Sequence, residues 1–176
     1  MTSTTTFDEL EAAAPAIGGF IRKRIEETGL SFVATTRSDG WPRVSGWEVF
    51  LCDGRLYVGS MPDAVKVKDL RRDPRCCIVT PLADKDDMSG EGKLFCVARE
   101  IDDPAEWEGV RRSFLDSRGF DLGGPGGSHL FEMAVAGAAW QRVEDGEHFH
   151  TSSWAAGEGV RERRRTGALG ESVELR

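Results

Sequence analysis

Hydrophobic residues recur with two different periods along this chain, and the switch between them marks out its elements. Phe7, Leu10, Ala14, Ile17, Ile21 and Ile25 follow one another at three- and four-residue intervals, the spacing of one apolar stripe on a helix. Thr6, with Glu9 three residues on, has the form of a capping box. The pattern predicts an amphipathic helix over about 7–28, weakened or kinked by Pro15 and Gly18-Gly19 and stopped at Gly29. Beyond it the period shortens. Strand-like apolar runs occupy 31–37, 43–51, 55–60 and 75–82, then 93–101, 130–143 and 147–154. Asp39-Gly40, Asp53-Gly54 and Asp145-Gly146 stand between runs, and Asp-Gly pairs favour hairpins because both positions tolerate positive φ. A short basic helix separates the third run from the fourth. A second helix is expected over about 104–117, where Asp103-Pro104 supplies an N-cap and an N1 proline ahead of Trp107, Val110, Phe114 and Leu115. Residues 83–92 read as a polar loop and 119–128 as a glycine-rich linker.

Six or seven strands, Asp-Gly turns and no βαβ alternation predict a mainly β fold with short helices, closed as an antiparallel barrel. A parallel nucleotide-binding sheet would need a helix after each strand and is excluded. The expected organisation is one domain over 1–154, N-terminal helix included. A polar tail follows over 155–176, mobile or lying on a partner because it lacks an apolar pattern.

Composition narrows the class further. Apolar residues make up 39% and charged residues 30%, ordinary for a globular chain, and the net charge of −7 argues against a general nucleic-acid binder. No run approaches the roughly 18 apolar residues of a membrane-spanning helix. The polar, then acidic, opening MTSTTTFDELE does not suit a signal peptide, so the expected location is the cytoplasm. Cys52, Cys76, Cys77 and Cys96 all lie in strand-like runs without C-x-x-C spacing, and are expected to be buried, reduced thiols.

The chemistry concentrates in GSMPDAVKVKDLRRDP, residues 59–74. Ser60 precedes a helix that Pro62 is expected to open, with Lys66 and Lys68 in its first turns and Arg71 and Arg72 behind. A helix start, a hydroxyl and a lysine together suit a phosphate; a solvated basic face balanced by Asp63, Asp69 and Asp73 is the other reading. Trp41, Trp47, Trp140 and Trp154 are candidate walls for a flat ring, or else core and interface packing. His148 and His150 share one strand face but have no third ligand at recognisable spacing, so no metal site is assigned. The RERRR segment at 161–165 suits an anion or an acidic partner, or a solvated tail.

A D-G turn leading into P-R-V-S, a strand ending G-S, then K-x-x-D-L-R-R-D-P and another strand resemble the pyridoxamine 5'-phosphate oxidase-like family over roughly 7–154. The resemblance implies a six-stranded antiparallel split barrel of the FMN-binding type, a homodimer, and one flavin-type cofactor per subunit in the dimer groove. By position, Arg43, Ser60 and Lys66 would hold the cofactor phosphate. Val44, Ser45 and Gly46 would run past the ring edge, and Gly59 would let the backbone approach it. Trp154 would stand near the partner's cofactor. Glu48 departs from the family pattern: true pyridoxamine-phosphate oxidases carry a lysine about there, and a carboxylate beside a phosphate costs on the order of a kcal/mol. Oxidation of pyridoxamine phosphate is therefore not expected. The chain is more similar to the branch that uses FMN or the deazaflavin coenzyme F-420. The expected function is hydride transfer between such a cofactor and a small organic substrate, with no catalytic acid or base assigned. The alternatives are a non-catalytic barrel binding haem or flavin, for which His148 and His150 are the cue, and a barrel that has lost its cofactor.

Overall fold

The computed structural model describes residues 3–82, 84, 86–167 and 169–175. Ala83 and Lys85 of the expected polar loop, and Ala168 and Arg176 of the expected tail, lie outside the described residues. Two helices, α1 (Phe7–Ala13) and α2 (Pro15–Thr28), stand where one kinked helix was expected. Pro15 has no N–H to continue α1 and instead serves as the first residue of α2, with Ala14 at φ −140° and ψ 69° between them. The capping box forms: the Glu9 N–H donates to Thr6 Oγ1 at 3.2 Å and the Thr6 N–H to Glu9 Oε2 at 2.8 Å. Gly29 ends α2 in the left-handed region, at φ 66°.

Strands β1 (Leu30–Thr36), β2 (Pro42–Cys52) and β3 (Arg55–Ser60) are followed by α3 (Val65–Arg72), β4 (Arg75–Val79) and β5 (Glu91–Glu100). Helix α4 (Pro104–Arg118) then leads to β6 (His129–Glu144), β7 (His148–Ala155), β8 (Gly159–Thr166) and β9 (Ser172–Glu174). All strand pairs are antiparallel, in the order β3-β2-β1-β4-β5-β6-β7-β8-β9. An additional β3–β6 pairing closes β1–β6 into a six-stranded barrel. Strand β6 is long because its C-terminal half leaves β3 and carries the ribbon β7–β9 outward.

That ribbon corrects the expectation of a tail without regular structure. Residues 159–166 and 172–174 are strands. Their ladder bonds are satisfied by backbone, while their side chains stay mostly exposed on both faces, so no apolar alternation is needed and none is present.

The barrel interior is filled by inward positions of β1–β6, Val33, Trp47, Val49, Val58, Ile78, Leu94 and Val135 among them, and Trp154 of β7 joins the same core. Ile17, Ile21 and Ile25 of α2 join the same core. At about 1.5–3 kcal/mol for each large apolar side chain fully buried, this core is the main favourable term. A second core forms on the outside of the barrel: Trp107, Val110 and Phe114 of α4 pack on Phe50, Cys52 and Tyr57 of β2 and β3. Cys52, Cys76 and Cys96 are buried and Cys77 half-buried, all as free thiols, and burial pushes Cys76 up to about 12. One sheet face remains open. Leu30, Phe32, Val44 and Phe95 lie on it, each about half exposed or more. Among the described residues no helix is long and apolar enough to cross a membrane.

Candidate functional site

Strands β2 and β3 pair only from Val49↔Val58 to Cys52↔Arg55. Above that point they part: residues 43–48 of β2 pair with β1 alone, and Gly59 and Ser60 pair with β6. This is the split in the barrel. A cavity of about 430 Å³ opens there, with α3 on one side and α4 and the 119–128 segment on the other.

Gly46, Trp47 and Glu48 of β2, Gly59 and Ser60 of β3, and Lys66 of α3 all line it. The Ser60 hydroxyl is buried without a hydrogen-bond partner among the described residues. A buried hydroxyl left unpaired costs about 1–3 kcal/mol, which makes Ser60, on the cavity lining, a candidate to meet a polar ligand. Lys66 Nζ lies over the Trp47 ring, 4.0 Å from its centroid, and burial lowers its pKa. Lys66 and Glu48 make no ion pair among the described residues, whereas the other charged lining groups are engaged. Asp121 is held by Arg111 at 2.7 Å and His129 lies 3.0 Å from Glu100, itself bonded by Arg71 at 2.6 Å. A Cβ built on Gly46 would meet nothing within 4 Å, so the floor is open at that position; one on Gly59 would press on Leu122 at 3.3 Å.

Arg43 lies outside the cavity lining, near the start of β2. Its Nε donates to Asp69 Oδ2 at 2.6 Å, and the Thr35 hydroxyl donates to the same oxygen at 3.0 Å. Asp69 is 2% exposed and also faces Arg72 at 3.5 Å. Burial alone would raise its carboxyl; the hydrogen bonds from Arg43 and Thr35 and the two arginine charges outweigh this and lower it. Asp69 was read only as charge balance on a basic helix. Its role is legible only in three dimensions, because Thr35, Arg43 and Arg72 come from β1, β2 and α3.

The structure brings Gly46, Gly59, Ser60 and Lys66 together on one cavity lining, which Arg43, Val44 and Ser45, earlier on β2, do not join. Ser45 Oγ accepts from Trp47 Nε1 at 2.9 Å, which orients the indole beneath Lys66. Trp154 does not join them: it is 7% exposed, in the interior core of its own chain. Trp41 sits 71% exposed, while Trp140 stacks on Phe20 at 4.8 Å. His148 and His150 lie on β7 away from the cavity lining, with His150 Nε2 3.1 Å from Glu144. Helix α3 starts at Val65, not at Pro62, because Asp63 takes a left-handed φ of 60° and Ala64 is extended. Ser60 is therefore not adjacent to free helix N–H groups. The apolar wall was missed altogether: Trp107, Phe114, Phe120 and Leu122 line the cavity. The apolar face of α4 was visible, but nothing in the chain indicated which strands it would cover.

A closed antiparallel barrel, split at one seam between β2 and β3, defines the split-barrel fold class. Residues 18–155 match the family model described as pyridoxamine 5'-phosphate oxidase, and the chain belongs to that family. Solved structures agree on the fold. A general stress protein 26-related protein from Clostridium acetobutylicum aligns with a TM-score of 0.57 at 12% identity, over 76% of this chain and 89% of that one. ChuZ of Campylobacter jejuni aligns at 0.67 and 10% identity, over 89% and 65% respectively. A haem-binding protein from Mycobacterium smegmatis aligns at 0.55 and 14% identity, over 86% and 88%. No curated protein matches the sequence.

Proposed function

We propose that this protein is a homodimeric oxidoreductase that holds FMN or the deazaflavin coenzyme F-420 at the split and serves hydride transfer to a small organic substrate. The observation that carries the reading is that Lys66 and Ser60, whose buried hydroxyl has no partner among the described residues, line one largely apolar cavity. An apolar volume with a few convergent polar groups is the expected form of a cofactor site. Lys66 and Ser60 would hold the anionic end. Arg43, anchored through Nε, has both Nη groups without hydrogen bonds to the described residues and would present them to the same anion. Val44, Ser45 and Gly46 would border the ring, with Gly46 and Gly59 allowing close approach. A bound flavin-type ring supplies the redox chemistry; the protein positions it and excludes water. Glu48 at the cavity edge disfavours a second phosphate there, so pyridoxamine phosphate is not the substrate we assign.

The open apolar face of Leu30, Phe32, Val44 and Phe95 would be covered by a second copy, as in the dimers common in this family. Four unbridged thiols, with Cys76 and Cys96 directly opposed in β4 and β5, suit the reducing cytoplasm.

An absorption spectrum of the purified protein, with mass analysis of any released ligand, tests the cofactor class. Titration with FMN and the deazaflavin should then show weaker binding to Lys66→Ala, by about tenfold for one charge-assisted contact. Unchanged affinity would refute the cradle. A second reading, a haem-binding protein without catalysis, is favoured by His148, whose Nδ1 is buried and unpartnered among the described residues. A haem spectrum lost in His148→Ala would establish it instead.

A further inference from the structure

At the far end of the sheet from the split, the β7–β9 ribbon carries a second concave surface that the proposed redox function does not use. Cross-strand register places its residues. Arg163 stands opposite Thr151, which stands opposite Gln141; Arg165 stands opposite Phe149 on one side and Ser172 on the other. These six residues line a groove of about 610 Å³. That is within the range of small-molecule sites.

Its chemistry is one-sided. Arg161, Arg163 and Arg165 alternate along β8, so all three side chains leave the same face, roughly 7 Å apart at twice the strand rise. Like charges on one strand face repel, and in a chain of net charge −7 such a row has ample acidic partners available. Yet only Arg161 is paired on this face, with Glu158 at 3.0 Å. Arg163 makes no ion pair among the described residues, although Glu174 lies across from it in register. Arg165 is braced through Nε on the Gly170 carbonyl at 2.9 Å, which leaves its Nη groups outward. Among the described residues no carboxylate lines the groove. Opposite Arg165, and on the same strand as Thr151, lies Phe149, a large ring left 48% exposed.

We propose that this groove binds a small, multiply charged anion bearing a flat ring, of the nucleotide class. Arg163 and Arg165 take the phosphate, whose oxygens match the planar guanidinium fork, and Phe149 supports the ring. The site is separate from the cradle at Ser60 and Lys66 and stands whether or not that cradle holds a flavin.

The test uses the full chain, with AMP and inorganic pyrophosphate as probes in isothermal titration at roughly 50 and 500 mM salt. Both probes should bind at low salt and weaken at high salt. The double variant Arg163→Ala/Arg165→Ala should lose at least about tenfold in affinity for both. Phe149→Ala should weaken AMP and leave pyrophosphate unchanged, which separates ring support from charge. Lys66→Ala should leave AMP binding intact. Circular dichroism confirms that each variant is folded. The proposal is overturned if the wild-type chain binds neither probe, if Lys66→Ala rather than the arginine pair abolishes binding, or if the arginine pair instead changes the mass in solution by light scattering. That last result would make the face an interface between copies of the chain.

Discussion

Replacing Asp69 by Asn tests whether one buried carboxylate holds the entrance of the split together. Asn keeps the shape and removes the charge that three elements converge upon. The carboxylate accepts from Arg43 at 2.6 Å and from Thr35 at 3.0 Å and faces Arg72 at 3.5 Å, with its side chain 3% exposed. A hydrogen bond to a charged group contributes about 1.5–3 kcal/mol, and breaking a fully buried ion pair costs about 3–5. Here the arginines are not fully buried, at 30% and 40% exposed, so water recovers part of the loss. The expected destabilisation at pH 7 is about 2–3 kcal/mol, a fall in Tm of about 4–12 °C for a domain of this size. Urea unfolding followed by tryptophan fluorescence and far-UV circular dichroism measures it. The pH dependence carries a sign. Because the folded-state carboxyl is lowered from its ordinary 3.8, its contribution is complete above that pH and disappears as pH falls through the folded value. The gap between wild type and Asp69→Asn should therefore close in acid. A variant within about 0.5 kcal/mol of wild type at pH 7, or a gap that persists unchanged at low pH, would refute this account of the Arg43 anchor.

Two further outcomes follow from the same coordinates. Tyr57 is the single tyrosine of the chain, and burial first, then the Glu132 carboxylate, raise its hydroxyl to about 12. Absorbance at 295 nm should show no tyrosinate near pH 10 in the native protein but a normal transition there in urea; its contribution to stability is present below about pH 10 and lost as pH rises toward 12. Gly90 has φ 84°, and a Cβ built on it would lie 1.7 Å from the Gln141 carbonyl oxygen, so Gly90→Ala should destabilise by more than about 3 kcal/mol, read as a lowered urea midpoint.

Local patterns were enough to derive the elements. Thr6 and Glu9 capped α1 as their spacing required, Asp103-Pro104 opened α4, and the Asp-Gly pairs at 53–54 and 145–146 turned with both residues at positive φ. These are short-range effects, decided within three or four residues. Alternation also placed Trp47 and Val49 in the interior and Glu48 on the opposite face. The split itself was not legible. Nothing in β2 or β3 states that their pairing stops at Val49 and Val58; beyond that point Gly59 and Ser60 pair with β6 alone, some seventy residues away in the chain. Ser60 stands out in the sequence for its position before a helix, whereas the structure distinguishes it by a buried hydroxyl with no partner among the described residues. Trp154 was selected for its place near the C-terminus, but barrel closure consumed it as core. The strands β8 and β9 escaped notice because a backbone ladder exposed on both faces leaves no hydrophobic signature. The sequence alone thus determined the barrel strands, most of the helical turns and which residues carry charge beside them. Only the tertiary structure decided which of those charges are spent on one another, as Arg43 is on Asp69, and which, like Lys66, stay free to meet a ligand, because pairing depends on distance in space and long-range strand closure sets that distance.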